Sequence, residues 1–184
     1  MPNRNSVIAT FIALFLFLGQ GNFCAAQIQS FHIDESQSSV TFEATHLGVL
    51  KVRGQFQNFS GTLVFTAGEL TQVESKIKVK SIDSGDISRD RSLLDEGYLN
   101  ATMYPSIHFK STSVKNDIIT GVLTIKAVKK EMEIPYHLKK NKSGFLITMT
   151  TQLDRNDFNL DFGAMDALVG DKVHIELEIV GLPN

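Results

Sequence analysis

The sequence contains no tryptophan, four prolines and a single cysteine among 184 residues. One cysteine excludes an intramolecular disulfide, so the fold has to be stabilised by an apolar core. Lysine and arginine together number 18 against 20 aspartates and glutamates, which gives a formal net charge of −2. Because there is no basic excess of the kind that nucleic-acid-binding domains carry, we expect no nucleic acid partner.

The first 26 residues have the layout of a secretory signal peptide. Arg4 supplies a positive charge, residues 7–19 (VIATFIALFLFLG) are almost wholly apolar, and the small residues CAA close the segment at 24–26. The apolar run is shorter than the ~20 residues that span a bilayer as a helix. We therefore expect cleavage after Ala26 and a mature domain, residues 27–184, that is periplasmic or secreted.

Two alternatives to cleavage concern the same segment. An uncleaved membrane anchor would need a longer apolar run. A lipid-modified Cys24 would follow Phe23, a bulky residue that is unsuited to the position before such a cysteine. Cleavage removes Cys24, and no second long apolar run follows it. We therefore expect a mature domain without a thiol and without a transmembrane segment.

Alternation of apolar and polar residues runs through most of the remaining sequence. This period of two is typical of antiparallel strands that have one face in the core and one in water. Such segments occur at 39–46, 73–81, 106–114, 132–138, 145–153 and 173–179. Two further strands are expected at 118–127 and at 54–65, the second broken at Ser60-Gly61. About eight short strands at this spacing predict an all-β barrel or sandwich.

One segment, residues 86–99 (DISRDRSLLDEGYL), lacks this alternation and is highly charged. Its apolar residues fit one face of a helix better than one face of a strand. Asp86 is a suitable N-cap and Gly97 a suitable terminator. We predict one short helix that crosses a connection between two strands.

No recognised metal, nucleophile or phosphate motif is present. The five histidines are scattered without ligand spacing, and most alternate with apolar residues, so we expect them on the solvent face and predict no metal site: His32, His46, His108, His137 and His174. There is no GxSxG elbow and no glycine-rich phosphate loop. We accordingly expect no cofactor.

The carboxylates between Asp83 and Glu96 are the one candidate for acid–base chemistry. A crowded acidic group can hold a carboxyl with a raised pKa, as a hydrolase or stress-response enzyme would use. Arg89 and Arg91 lie among these acids, and such mixed charges more commonly pair locally on a solvated helix. We expect no catalytic role for the segment, and an enzyme remains the alternative.

Several motifs, each weak alone, occur together as an ordered set. They are FHID at 31–34 with SVTF at 39–42, VRGQF at 52–56 with FSG at 59–61, SIDSG at 81–85 with RD at 89–90 and Leu93, YPSIHF at 104–109, GVLTI at 121–125, and DRNDF at 154–158. In this order and spacing they resemble the YceI family, the polyisoprenoid-binding proteins of bacterial periplasms. The resemblance covers about residues 31–180, nearly all of the expected mature domain.

The resemblance implies a lipocalin-like, extended antiparallel β-barrel with a short helix near its mouth. It also implies an elongated apolar tunnel that holds a long isoprenoid chain, in some members the tail of a quinone or an isoprenoid phosphate. It implies a binding protein rather than an enzyme. The sequence departs from the family pattern mainly in turns and at the rim, for example with Ser92 where histidine is common and Asn159 where glycine is expected, which concerns the head group more than the tail.

The apolar phase of the strands supplies the candidates for the tunnel wall. They are Val40, Phe42, Phe56, Leu63, Phe65, Ile77, Val79, Ile107, Phe109, Leu123, Ile125, Ile134, Tyr136, Ile147, Met149, Ile175 and Leu177. A closed sheet of about eight strands can be filled by side chains or can hold one small ligand, and periodicity does not separate the two. A structural domain with a filled barrel is therefore a second alternative.

Three arginines are candidates for binding a phosphate or quinone head group: Arg53, Arg89 and Arg155. The guanidinium fork matches two phosphate oxygens, which favours arginine for this role. We therefore expect an exported protein that binds an isoprenoid-type lipid or another long-chain amphiphile. The sequence leaves the identity of the ligand and the oligomeric state open, with a homodimer among the alternatives.

Overall fold

The structure is a computed structural model that describes residues 27–141 and 144–183. The expected leader, residues 1–26, lies outside the described residues. The described residues form eleven strands and one α-helix. The strands are β1 (Ile28–Ile33), β2 (Ser39–His46), β3 (Leu50–Phe56), β4 (Phe59–Thr66), β5 (Glu69–Lys78), β6 (Ile82–Asp83), β7 (Ser106–Lys115), β8 (Ile118–Ile125), β9 (Val128–Asn141), β10 (Gly144–Asp154) and β11 (Val169–Pro183), and the helix is α1 (Ile87–Leu94).

Eight antiparallel strands close into a barrel. Their order is β1-β4-β5-β7-β8-β9-β10-β11, and β11 pairs back onto β1 through Phe31 opposite Pro183. The earlier part of β11 pairs with β2, so β1 and β2 lie end to end along one long strand. β3 pairs with β2 and extends the sheet beyond the ring, whereas β4 pairs with β1 inside the ring. The prediction of an all-β barrel of about eight strands is confirmed.

The helix agrees with its predicted N-terminus. Asp86 caps α1, and its side chain accepts hydrogen bonds from the backbone N–H groups of Ser88 (2.9 Å) and Arg89 (3.0 Å). Such a cap satisfies donors that have no partner inside the helix. The helix ends at Leu94, before the predicted terminator Gly97, and turns continue the connection to β7.

The break between β3 and β4 differs from the prediction. It falls at Gln57-Asn58, and Ser60-Gly61 lies inside β4. Gly61 is required there by close backbone approach, because a Cβ at this position would lie 2.5 Å from the carbonyl oxygen of Glu74. A glycine inside a strand can mark such an approach as readily as a turn.

The core has two parts. At one end of the barrel the rings of Phe31, Phe65 and Phe145 pack together with centroids 4.9–5.3 Å apart, and we call these three rings the floor. Phe65 and Phe145 are buried, so this end is closed. The second part lies under α1 and its following turns, where Leu93 and Leu99 pack with residues of β7 and β8. Between the two parts the barrel is hollow.

Candidate ligand-binding cavity

The barrel encloses a cavity of about 400 Å³. Every strand contributes at least one side chain to its wall, and the wall is almost wholly apolar. Ligand sites for small molecules have volumes of roughly 300–1,000 Å³, so this cavity is of binding-site size. A barrel of eight strands is just wide enough to hold such a ligand.

The cavity is a tunnel rather than a round chamber. Its lining residues on β11 run from Val169 to Ile179, which is about 33 Å along the strand at ~3.3 Å per residue. Strands in barrels tilt by ~35–45°, so the tunnel is roughly 25 Å long. A volume of about 400 Å³ spread over this length leaves room for one chain.

The structure brings most of the predicted wall residues together. The cavity is lined by Val40, Phe42, Phe56, Leu63, Ile77, Ile107, Phe109, Leu123, Ile125, Ile134, Ile147, Met149, Ile175 and Leu177. Each lies on the inward phase of its strand. Of the small residues on that phase, Ala44 and Ser75 also line the cavity.

Three predicted wall residues do not line the cavity. Phe65 belongs to the floor, and Tyr136 is buried in the same core cluster. Val79 lies in a 3-10 turn after β5 and packs in the cluster beneath α1. All three are buried, and packed side chains fill the space around them.

Sequence reasoning missed two groups of lining residues. The first lies on strands, where the same alternation could have identified Ile33, Val73, Ile119, Met132 and Ile179. The second comes from α1 and the loops: Leu93, Tyr98, Leu99, Leu160 and Phe162. No period of two marks these residues, so only the tertiary structure identifies them.

Polar residues gather at the end opposite the floor, which we call the mouth. His46 and Thr45 at the end of β2 and Arg89 and Ser92 on α1 line the cavity there. Tyr98 lines it too, with its ring centroid 4.0 Å from that of Phe162, and burial raises the pKa of its hydroxyl to about 12. The tyrosine therefore stays neutral at any ordinary pH.

Arg89 is the predicted head-group residue that the structure places on the cavity. Its Nε donates to the hydroxyl of Ser84 (2.8 Å) and its Nη2 donates to the carbonyl oxygen of Ser84 (2.7 Å). These two bonds fix the direction of the guanidinium without neutralising it. Asp90 accepts from the amide (3.0 Å) and hydroxyl (2.5 Å) of the same Ser84, which completes the support.

Arg53 and Arg155 are placed away from the cavity, in contrast to the expectation. Arg53 is 78% exposed on the outer face of β3, and its Nε lies 2.7 Å from a carboxylate oxygen of Glu43. That pairing raises the pKa of the arginine, and the hydrogen bonds from Lys51 and Arg53 lower the pKa of the Glu43 carboxyl.

Arg155 is 2% exposed and serves the structure of the mouth. Its Nη1 donates to the carboxylate of Asp166 (2.5 Å) and to the carbonyl oxygen of Leu160 (2.9 Å). Its other nitrogens donate to the carbonyl oxygens of Val169 and Gly170 (both 3.2 Å). These bonds occupy the guanidinium and hold the segment from 160 to 171 against the barrel, so Arg155 has no free face for a ligand.

The acidic segment is engaged in local structure. Asp86 caps α1, and those backbone hydrogen bonds lower the pKa of its carboxyl. Asp83 accepts from the amide of Gly85 (2.9 Å) and from the side chain of Gln57 (2.7 Å). A general acid needs a raised pKa, which is the opposite of the shift at Asp86.

The described residues contain neither a cluster of metal ligands nor a membrane-spanning helix. Within 27–141 and 144–183, no three histidine, cysteine, aspartate or glutamate side chains come together as a metal site would require. His32, His108, His137 and His174 are exposed, whereas His46 lines the mouth. In the same ranges no helix has the length and apolar character needed to cross a membrane.

A family model of the YceI-like domain matches residues 31–181. The chain belongs to the YceI-like domain family. The match begins in β1 and ends in β11, so it contains the whole cavity of this YceI-like domain. The resemblance seen in the sequence motifs is thereby confirmed.

Curated relatives agree in length. The YceI-like chain is similar to the UPF0312 protein of Shewanella baltica, with 28% identity over 173 residues that cover 85% of this chain and 87% of that protein. A UPF0312 protein of Shewanella sp. strain MR-7 is also 28% identical, and the alignment covers 96% of both chains.

Solved structures share the fold. BcnA of Burkholderia cenocepacia superposes with a TM-score of 0.74 at 23% identity, over 80% of this chain and 98% of BcnA. A polyisoprenoid binding domain from Saccharophagus degradans, implicated in plant cell wall breakdown, gives 0.72 at 13% identity, over 86% of this chain and 100% of that domain. At these identities the likeness establishes the barrel architecture.

Proposed function

We propose that this YceI-like protein is exported and binds one long isoprenoid-type chain, with the tail in the tunnel and the head group at the mouth. The observation that carries the proposal is the shape of the cavity, which is narrow, apolar and closed by the floor. Membership of the YceI-like family and the fold shared with a polyisoprenoid binding domain support it. The signal-peptide layout of residues 1–26 supports export.

The driving force is transfer of the tail out of water. Burial of a methylene group contributes about 0.8 kcal/mol, so ten buried carbons contribute about 8 kcal/mol. Association costs about 4–15 kcal/mol in lost translational and rotational freedom. A short alcohol therefore gains too little to bind well, whereas a chain that fills the tunnel gains enough.

The head group is best matched at Arg89. A guanidinium that already donates to Ser84 and forms no ion pair with another described residue can donate to a phosphate, a diphosphate or a quinone oxygen. Hydrogen bonds to charged groups contribute about 1.5–3 kcal/mol. The tail then sets most of the affinity, and Arg89 distinguishes one head group from another.

A length series tests the proposal. Protein produced from the complete sequence is loaded from detergent with farnesol, geranylgeraniol and undecaprenyl phosphate, and bound lipid is identified by native and denaturing mass spectrometry. Affinity should rise with chain length until the tunnel is full. If none of the three probes binds and no lipid is carried through purification, the proposal is rejected. The barrel would then be a filled structural domain or would bind something other than a lipid. Hydrolysis of the probe would favour an enzyme instead.

A further inference from the structure

The tip of the β2–β3 hairpin exposes three large apolar side chains. Leu47 is 52% exposed, Val49 80% and Leu50 54%, and we call these three residues with Gly48 the tip. In the described ranges, the other strongly exposed large apolar residues occur singly along the chain, at Ile28, Ile87, Met103 and Ile118. Scattered apolar residues are normal on a surface, whereas an adjacent group marks an interaction site.

The backbone conformation of the tip makes a leucine at position 47 unusual. Leu47 has φ 53° and Gly48 has φ 73°, and the amide of Val49 donates to the carbonyl oxygen of His46 (3.3 Å). In the β-turn from His46 to Val49 both central residues have positive φ angles, a conformation that strongly favours Asn-Gly because asparagine tolerates the left-handed region. Leucine at position 47 is disfavoured there, so the turn itself does not explain the apolar residue.

The tip is the lip of the mouth. Ala44, Thr45 and His46 lead into it and Val52 follows it, and all four line the cavity. The amide of Leu47 donates to the carbonyl oxygen of Leu168 (2.7 Å), which ties the tip to the segment that leads into the neighbouring strand β11. An apolar chain that leaves the tunnel therefore passes beside the exposed tip.

We propose that the tip docks the mouth onto the surface of a phospholipid bilayer. Leu47, Val49 and Leu50 enter the boundary between head groups and acyl chains, and the isoprenoid chain moves between membrane and tunnel without crossing water. This inference rests on the proposed function. It explains why exposed apolar side chains lie beside the exit of a cavity whose proposed ligand is insoluble in water.

Charge near the tip suits lipid head groups. Lys51 and Arg53 follow the tip on β3, with side chains 65% and 78% exposed, and both pair with the single carboxylate of Glu43 at 2.7 Å. Both cations are exposed beside the apolar residues. Lys51 is the nearer to the tip, and Arg53 also lies within the electrostatic influence of Glu176. Phospholipid phosphates attract basic residues that lie next to a membrane-inserted apolar group.

A second copy of the chain fits the tip less well. Stable protein interfaces bury roughly 1,200–2,000 Å² in total. Three side chains on one narrow hairpin offer a small part of that area. A bilayer needs no matching protein surface, so a few inserted residues are sufficient for reversible binding.

The test separates docking from ligand binding. Protein made from the complete sequence is compared with the triple variant L47S/V49S/L50S, with L47N, and with I28S as a control for loss of one exposed apolar residue beside the floor. Flotation with vesicles of phosphatidylethanolamine and phosphatidylglycerol measures docking. Uptake of undecaprenyl phosphate from detergent, without vesicles, measures ligand binding, and sedimentation measures self-association.

The triple variant should lose about tenfold or more of its vesicle binding, because three apolar side chains no longer leave water. L47N should weaken vesicle binding severalfold while its melting temperature stays equal or rises, since asparagine suits the turn. I28S should match the unchanged protein, and all variants should load undecaprenyl phosphate equally.

Equal flotation of the unchanged protein and the triple variant would overturn docking and leave the proposed function intact. If the unchanged protein loads undecaprenyl phosphate but does not float with vesicles, docking is likewise overturned and the proposed function is left intact. A dimer that dissociates in the triple variant would assign the tip to a second copy of the chain. Failure of the unchanged protein to load the lipid would reject the proposed function, and with it the role of docking in lipid exchange.

Discussion

The ring of Phe42 packs over Gly54, its direct partner across the β2–β3 pair. A Cβ at position 54 would overlap Cζ of Phe42 and approach the carbonyl oxygen of Asp83 to 3.0 Å. Glycine therefore lets the ring rest on the wall, and the tunnel stays open beside it. A glycine paired with an aromatic ring is a recurring device in curved sheets.

Substitution of Gly54 by alanine should narrow the tunnel. The ring of Phe42 has to move inward, and overpacking of this kind costs roughly 1–3 kcal/mol of unfolding free energy. Bound prenol should become shorter or weaker in the length series described above. Gly97→Ala is the control, because its Cβ would meet its nearest neighbour at 3.7 Å, an ordinary contact. Unchanged lipid uptake by Gly54→Ala would contradict this role for Phe42.

Ile147→Phe tests whether the interior is open. Ile147 is fully buried and lines the tunnel. In an open tunnel the larger ring shortens or excludes the bound chain, and the melting temperature changes little. In a filled core the same change costs roughly 1–3 kcal/mol. Leu146→Phe, one residue away on the opposite face of β10, is the matched control and should leave lipid binding unaltered.

Arg89→Met should lower affinity for an isoprenoid phosphate by about tenfold or more, since a charge-assisted hydrogen bond is lost. Affinity for the corresponding alcohol should change much less. Arg89→Lys keeps the charge and should restore part of the difference. Arg53→Met removes an exposed cation outside the tunnel and should leave both affinities unchanged. Equal losses for alcohol and phosphate would show that Arg89 supports the fold and not the head group.

Removal of Arg155 should destabilise the protein. In Arg155→Met the carbonyl oxygens of Leu160, Val169 and Gly170 lose their donor, and we expect a cost of about 2 kcal/mol or more. Chemical denaturation measures it. A fall in phosphate selectivity without loss of stability would instead restore Arg155 as a head-group residue.

The ion pair between Arg155 and Asp166 should make the stability of the protein depend on pH in a defined direction. Arg155 and the amide of Phe162 hold the pKa of Asp166 below its usual value. A depressed pKa contributes stability above the unfolded pKa, about 3.9, and this contribution is lost as the pH falls through the folded value. The difference in melting temperature between the unchanged protein and Asp166→Asn should therefore be constant above about pH 5 and shrink in more acidic solution. A difference that grows as the pH falls would contradict the sign.

N-terminal sequencing of protein recovered outside the cytoplasm tests export. We expect the chain to begin at Gln27, because the small residues at 24–26 complete the signal layout. Recovery of a chain that begins at Met1, or of a lipid on Cys24, would contradict cleavage after Ala26.

Alternation predicted the barrel well because almost every inward position faces the apolar interior of the barrel. β2 has the predicted bounds, Ser39–His46, and β7 and β8 agree within two residues. β1 and β6 were missed, since the first (IQSFHI) has two adjacent polar residues instead of strict alternation and the second has only two residues. These strands are held by pairing with β4 and β3, which leaves no local pattern in the sequence.

The ends of the barrel could not be predicted in the same way. Phe65 and Phe109 look alike in sequence, yet one closes the floor and the other lines the tunnel. Arg89 and Arg155 are likewise both arginines beside an aspartate or asparagine. Their different roles depend on which loop folds over them, and this is decided by residues distant in the chain.

In the proposed function, the floor formed by Phe31, Phe65 and Phe145 gives the bound lipid a fixed orientation. A blind tube admits a lipid only tail first and releases it only head first. During binding and release the head group of the proposed lipid therefore stays at the mouth, where a donor or acceptor of the lipid can reach it. The proposed lipid therefore does not have to reverse its orientation in the tunnel. The length of the tunnel limits how much of a longer tail is kept out of water.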